Sequence, residues 1–396
     1  MRILLVHNYY GSSAPSGENH VFETEKALLL QHDHEVDEFI RHSDEIRSVG
    51  VMGTLKGALA TTYNPFMARA IKKKVEQFKP DVVHAHNTFP LISPAIFYAI
   101  GHQAARVLTL HNYRLLCPAA IPMRNRKVCT KCLDLRSAWP SILHGCYRNS
   151  RMATLPLTVN VVLHRALGTW QHEVDAFIAL TEFQRTTMTV AGLPVDKVHV
   201  KPNYFPGNPP VVPWADRGSY AVFAGRLSEE KGVRALVKAW IAWGSDAPEL
   251  RLVGDGPLRA ELEDAAAGSS IHFLGQLTPD ETIRQLAGAR LQLLPSEWFE
   301  GFPMVVREAF AVGTPAAVSN LGPLPSIVNH GKNGVIFEPA NPQSLLTAVR
   351  NVWQKPGLLE KLGMGARKSF ETLYTEDINY IRLMDIYQAA VERNNA

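Results

Sequence analysis

Two doubly wound parallel α/β domains are the fold class this sequence predicts. Apolar runs of strand length alternate with amphipathic stretches of helix length, and they do so in two successive series. A proline-rich stretch separates the series, and 396 residues suffice for two domains of ordinary size.

The elements follow in order. Met1-Arg2-Ile3-Leu4-Leu5-Val6-His7 turns polar too soon for a signal peptide and reads as a first strand over Ile3–His7. Further strands are expected at Glu35–Ile40, Val82–His86, Val107–Leu110, Ala176–Leu180 and Val198–Lys201, with amphipathic stretches such as Val21–Leu30 between them. The stretch Asn203–Pro213 holds four prolines, which suits a linker better than a helix or an inner strand. The second series places strands at Tyr220–Ala224, Leu250–Val253, Ile271–Leu274, Leu291–Leu294, Ala316–Ser319 and Val335–Phe337, with an amphipathic stretch at Val233–Trp243. After Glu338 the pattern is mostly helical. The boundaries that result are 1–205 and 206–375, with residues 376–396 forming a last helix.

Composition narrows the class. Hydrophobic content of 46% and charged content of 20% are ordinary for a globular protein. No run of eighteen apolar residues exists, so no spanning helix is expected, and the protein is expected in the cytoplasm. The net charge of +4 is unevenly placed: Arg114 to Arg151 carries eight basic residues (Arg114, Arg124, Arg126, Lys127, Lys131, Arg136, Arg148, Arg151) against one acid, Asp134. A local cationic patch of this kind points to a phosphate-bearing partner or an anionic membrane surface. No nucleic-acid-binding module surrounds it, and no G-x-G-x-x-G follows the first strand, which argues against a dehydrogenase.

The chemistry concentrates in the second half. Glu300 and Glu308 have seven residues between them in Pro295-Ser296-Glu297-Trp298-Phe299-Glu300-Gly301-Phe302-Pro303-Met304-Val305-Val306-Arg307-Glu308. Glu300 should lie on the loop at the carboxyl end of the strand Leu291–Leu294, and Glu308 on the following helix, for which Pro303 is a good first residue. Ligands of open parallel sheets bind in that crevice, and a helix N-terminus there suits a phosphate. Arg226 and Lys231, in Ala224-Gly225-Arg226-Leu227-Ser228-Glu229-Glu230-Lys231-Gly232, follow the first strand of the second series. Fixed cations meeting the charge on a leaving diphosphate stabilise a transition state more than a ground state.

These segments, with Val253-Gly254-Asp255-Gly256-Pro257, Phe273-Leu274-Gly275, Ala311-Val312-Gly313-Thr314-Pro315 and Ser319-Asn320-Leu321-Gly322, resemble the family-4 retaining glycosyltransferases of GT-B fold. The resemblance is strong from about Tyr220 to Pro339 and weaker before. It implies two Rossmann-like domains facing a cleft, an acceptor-binding one first and a nucleotide-sugar donor-binding one second, with residues 376–396 crossing back to the first. It implies that Arg226 and Lys231 hold the donor diphosphate, that Glu308 accepts from the ribose, and that Glu300 contacts the donor sugar. The amides of Gly301 and Phe302 lie near that sugar's hydroxyls or the phosphate. Gly225 and Gly254 allow close backbone approach, and Leu277 packs at the nucleobase. His111 is the residue expected to reach the donor sugar as a hydrogen-bonding or polarising group, with His84 and His86 structural or acceptor-side. Gly17, in Ser16-Gly17-Glu18, partly matches the family's phosphate-touching Gly-Gly loop. Many relatives have Gly where Pro303 stands. The implied reaction transfers a sugar from a UDP- or GDP-sugar to a polysaccharide or lipid-linked oligosaccharide with retention and no required cofactor. Two rivals remain at this point: a nucleotide-sugar epimerase of similar fold, and a non-catalytic nucleotide-binding assembly module.

All four cysteines, Cys117, Cys129, Cys132 and Cys146, fall within 30 residues. The Cys129-Thr130-Lys131-Cys132 spacing is that of a zinc knuckle, which the outer pair would complete. Structural zinc, free thiols and redox-active disulfides remain open. The cluster coincides with the cationic segment and reads as an insertion over about 112–150. His111-Asn112-Tyr113-Arg114-Leu115-Leu116-Cys117-Pro118 with its later cysteines resembles a subgroup found in bacterial polysaccharide assembly. This implies an insertion that seats a lipid-diphosphate acceptor at the inner face of the membrane, with Lys72-Lys73-Lys74 adding to that face.

Overall fold

The computed structural model describes residues 1–10, 17–47, 57, 60–125 and 127–396. The chain forms two compact units: Met1–Pro122 with Cys129–Pro202 and Asn379–Ala396, and Met123–Val128 with Asn203–Ile378.

Fourteen strands are described: β1 Arg2–Tyr9, β2 Glu35–His42, β3 Val82–Asn87, β4 Ala105–Leu110, β5 Met123–Arg124, β6 Lys127–Val128, β7 Ala176–Ala179, β8 Val198–Val200, β9 Tyr220–Ala224, β10 Glu249–Val253, β11 Ile271–Gly275, β12 Leu291–Leu294, β13 Ala316–Ser319 and β14 Gly334–Phe337. Twelve of them build two parallel six-stranded sheets, in the orders β2-β1-β3-β4-β7-β8 and β11-β10-β9-β12-β13-β14. The twelve expected strands are the twelve of these sheets. The antiparallel pair β5–β6 was not expected; it lies in the cationic segment, which offers no alternating apolar pattern to read.

Each order reverses direction once, between β1 and β3 in the first sheet and between β9 and β12 in the second. Such switch points open a crevice at the carboxyl ends of the strands. In the first unit the core packs Ile3, Leu5, Val107 and Ile178 with Phe22 and Leu29 of the helix Gly17–Gln31. The last helix, Glu376–Asn395, adds Leu383, Ile386, Tyr387 and Ala390 to this core. The second unit's core packs Phe223, Leu252 and Leu293 against Leu236 and Trp240 of the helix Val233–Trp243. Among the described residues no helix is long and apolar enough to cross a membrane.

Candidate functional site

In the second unit the loops after β9 and β12 meet at the switch point. Lys231 follows β9 in a short 3-10 turn, Glu229–Lys231, and its Nζ donates to Glu300 Oε1 and Oε2 at 2.8 and 3.0 Å. Lys231 also lies over the Trp298 ring, 5.3 Å from its centroid. Glu300 is 4% exposed, and Ser296 Oγ donates to it as well. A buried carboxylate held by an ammonium and a hydroxyl is fixed in place rather than sampling rotamers. Arg226 is exposed, and among the described residues no ion pair engages it. This places one fixed and one unengaged cation on the same loop.

Two glycines make the crossing of these loops possible. Gly232 has φ +66°, and a Cβ there would sit 1.9 Å from the Pro295 carbonyl oxygen. Gly254, at φ +124°, would place a Cβ 2.1 Å from the Gly225 carbonyl oxygen. Gly225 N–H donates to Val253 O at 2.9 Å and Gly254 N–H to Gly275 O at 2.7 Å, so the tips of β9, β10 and β11 are tied edge to edge.

Glu308 lies on the helix Met304–Ala311, half-buried, with Arg307 Nη2 at 3.2 Å. That helix starts at Met304. Pro303 is its cap (φ −78°, ψ 90°), not its first residue as the sequence reading had it. The Pro303 carbonyl accepts from Val306 N–H at 3.0 Å, so the missing proline N–H falls outside the first turn. Phe302 is buried edge-on to Tyr374 at 5.8 Å. Leu277 packs on the Val222–Val253 side of the sheet.

The first unit holds a second constellation. His84 and His86 lie on β3, and His111 directly follows β4. Glu25 Oε2 accepts from Lys201 Nζ at 2.7 Å, and its Oε1 lies 3.0 Å from His84 Nδ1 and 3.1 Å from His86 Nε2. His84 also meets Tyr387 Oη at 2.8 Å and Thr109 Oγ1 at 2.7 Å. Burial pushes the Glu25 carboxyl up, but Lys201, His84 and His86 outweigh it and hold it well below the usual carboxylate range. Burial, then His84, lowers His86 to about 4. Burial likewise lowers His7 to about 4 against the raising effect of its Asn19 hydrogen bond, and pushes His111 well below its ordinary value.

These partners assign tautomers. A carboxylate only accepts, so His86 Nε2 carries a proton. His86 is neutral at pH 7, so its Nδ1 is an acceptor. The 3.1 Å bond from His86 Nδ1 to His111 Nε2 then requires the proton on His111 Nε2, which leaves His111 Nδ1 bare. His86, His111, Asn112 and Arg114 line a pocket with Asn87 and Thr88. Arg114 stacks over Phe89 at 4.0 Å on its wall.

Glu25, Lys201 and His7 escaped the sequence reading. Glu25 had a signal: it stands on the buried stripe Val21, Phe22, Glu25, Leu28, Leu29, where a carboxylate needs a partner. Lys201 and His7 carried no signal beyond ending a strand. Gly17 is the exposed first residue of its helix, while Ser16 and the Gly11-Ser12-Ser13 turn lie outside the described residues, as does Arg126.

None of the four cysteines, Cys117, Cys129, Cys132 and Cys146, is joined in a disulfide. Burial, then Cys132, Cys146 and Cys129, pushes the Cys117 thiol up to about 12, and burial with Cys146 and Cys129 pushes Cys132 up to about 11. A zinc tetrahedron needs its sulfurs about 3.8 Å apart. Among the described residues the one group with ligand atoms all within 4.8 Å of one another is Glu25, His84 and His86, not the cysteines. Cys129 precedes the short helix Lys131–Asp134 and Cys146 follows the turn at Gly145. In the Glu25 trio, Lys201 already supplies the cation.

Comparison with known proteins converges on one family. The profile described as "Glycosyltransferase Family 4" matches residues 17–205, and that described as "Glycosyl transferases group 1" matches residues 208–369. An uncharacterized glycosyltransferase of Methanocaldococcus jannaschii is 32% identical over 43% of this chain and 45% of its own length. The sulfoquinovosyl transferase SQD2 of Arabidopsis thaliana is 24% identical over 76% of this chain and 55% of its own. The chain thus spans about half the length of these curated relatives. Among solved structures, Anabaena HepE in complex with UDP and glucose superposes with TM-score 0.65 at 19% identity, covering 97% of this chain and 98% of that one. Sucrose-phosphate synthase from Thermosynechococcus elongatus gives 0.67 at 16%, covering 98% of each. With two Rossmann-like sheets and family profiles on both halves, the chain belongs to the family-4, group 1 glycosyltransferases of GT-B fold.

Proposed function

We propose that this protein is a retaining hexosyltransferase that moves a sugar from a UDP- or GDP-sugar to a polysaccharide or lipid-linked oligosaccharide, at the cytoplasmic side of a membrane. The observation that carries the reading is the Lys231–Glu300 pair at the β9/β12 switch point, with Arg226 unengaged on the same loop. Arg226 and Lys231 neutralise the diphosphate as it leaves, so no divalent metal is required. Glu308 accepts from the ribose and Glu300 from the sugar. In a front-face displacement, the bond from the anomeric carbon to the phosphate oxygen breaks. The acceptor oxygen bonds to that carbon on the same face, and its proton passes to the departing phosphate. His111 contributes its bare Nδ1 as a hydrogen-bond acceptor for a sugar hydroxyl.

The relatives' names support a transferase and vary in sugar, so the donor is tested directly. Thermal unfolding is measured with UDP, GDP and ADP, for the native chain and for Lys231→Ala. A ligand at a hundred times its dissociation constant stabilises by about 2.7 kcal/mol. A shift with UDP or GDP that Lys231→Ala abolishes is the expected result. No shift with any nucleotide in folded protein would overturn the reading.

A further inference from the structure

The helix Arg151–Ala166 turns apolar residues outward as well as inward. Its inner face buries Thr154, Leu157, Thr158, Val161 and His164. Its outer face carries Met152, Leu155 and Val159, with Met152 86% exposed. A surface helix ordinarily turns polar residues outward, and apolar residues gathered on its outer face mark an interaction surface.

The surroundings extend the face. Ser141 Oγ meets Thr158 Oγ1 at 2.8 Å, which sets the helix Pro140–His144 alongside, and its Leu143 is 68% exposed. On the other flank, Asn160 Nδ2 donates to Thr61 O at 2.7 Å and His164 Nε2 lies 2.8 Å from Thr62 O. The chain continues from there through the exposed Tyr63 into the helix Pro65–Phe78, which turns Phe66 (71% exposed), Arg69 and Lys73 outward. Charge on this surface has one dominant sign. Arg148 and Arg151 are exposed at the start of the long helix, and no Asp or Glu occurs between Asp134 and Glu173. The acid closest in sequence to Lys73 is Glu76.

We infer that this face docks on an anionic lipid surface, with Met152, Leu155, Val159 and Phe66 entering the acyl boundary and Arg148, Arg151, Arg69 and Lys73 meeting headgroups. Lipid fits better than a protein partner because apolar tips ringed by cations match an acyl layer beneath anionic headgroups. The inference deepens the membrane-side part of the reading above and moves the contact away from the β5–β6 hairpin with Arg124 and Lys127. It needs no donor or acceptor for its test, so a failed transfer assay leaves it standing.

The experiment is flotation of the full chain with vesicles of phosphatidylglycerol and phosphatidylcholine, and with phosphatidylcholine alone. Binding to the anionic vesicles is expected, about fivefold weaker for each basic residue removed and reduced by salt. The triple variant Met152→Glu, Leu155→Glu, Val159→Glu should lose at least about a hundredfold in partitioning with an unchanged unfolding temperature. Arg124→Ser with Lys127→Ser should bind as the native chain does. Undiminished binding by a folded triple variant overturns the inference. So does a dimer in scattering measurements that this variant dissolves, since the face would then belong to a second copy.

Discussion

Acidification should weaken the first unit through its buried histidines, and His7 isolates the effect. His7 is fully buried, stacked on Phe22 at 4.7 Å, and its pKa falls from 6.5 to about 4. Between those values the unfolded chain binds a proton at this site and the folded chain does not. Stability therefore rises with pH across the window. The contribution is fully present above about 6.5 and lost progressively as the pH falls towards 4. At pH 5 the linkage amounts to about 2 kcal/mol for this one group, against almost nothing at pH 7. For a unit of this size 1 kcal/mol moves the midpoint by about 2–4 °C. His7→Phe keeps an aromatic ring against Phe22 and removes the titration. Calorimetry at pH 7 and pH 5 should then show the native protein losing about 4–8 °C more than His7→Phe over the interval. Parallel losses in the two proteins would refute the argument, because every other group is common to both.

Lys201→Met strands the buried Glu25 carboxylate and should cost about 3–5 kcal/mol in urea unfolding, whereas adding Glu25→Gln should recover part of the loss. A double variant no better than the single one would show that the pair is not coupled. Gly232→Ala forces a Cβ into the Pro295 carbonyl at positive φ, so the loop carrying Lys231 must move. Nucleotide-induced stabilisation should vanish in this variant while the first unit's unfolding stays unchanged.

The sequence made the sheets legible because strands such as Tyr220–Ala224 and Ala176–Ala179 are buried along their whole length and so appear as short apolar runs. The second unit's site was legible for a related reason: its residues come from two loops that follow such strands directly. Glu300 and Lys231 are 69 positions apart, yet each sits just beyond a strand end at the switch point, and strand order places them together. The first unit's polar cluster was legible only in its histidines, His84, His86 and His111. Glu25 and Lys201 are 176 positions apart, and neither follows a recognisable motif. Pairing them requires knowing which helix covers β3 and where β8 ends.

The two switch points solve different electrostatic problems. The second unit keeps Arg226 exposed and pairs Lys231 with the buried Glu300 carboxylate, so cationic charge gathers at the loop after β9. The first unit does the reverse. It buries the Lys201 ammonium against Glu25, and through Glu25 and His86 fixes a neutral His111 with a bare Nδ1. A neutral imidazole supplies hydrogen-bond direction without charge. Glu25 thereby sets which ring nitrogen of His111 is left bare while lying two hydrogen bonds away from it.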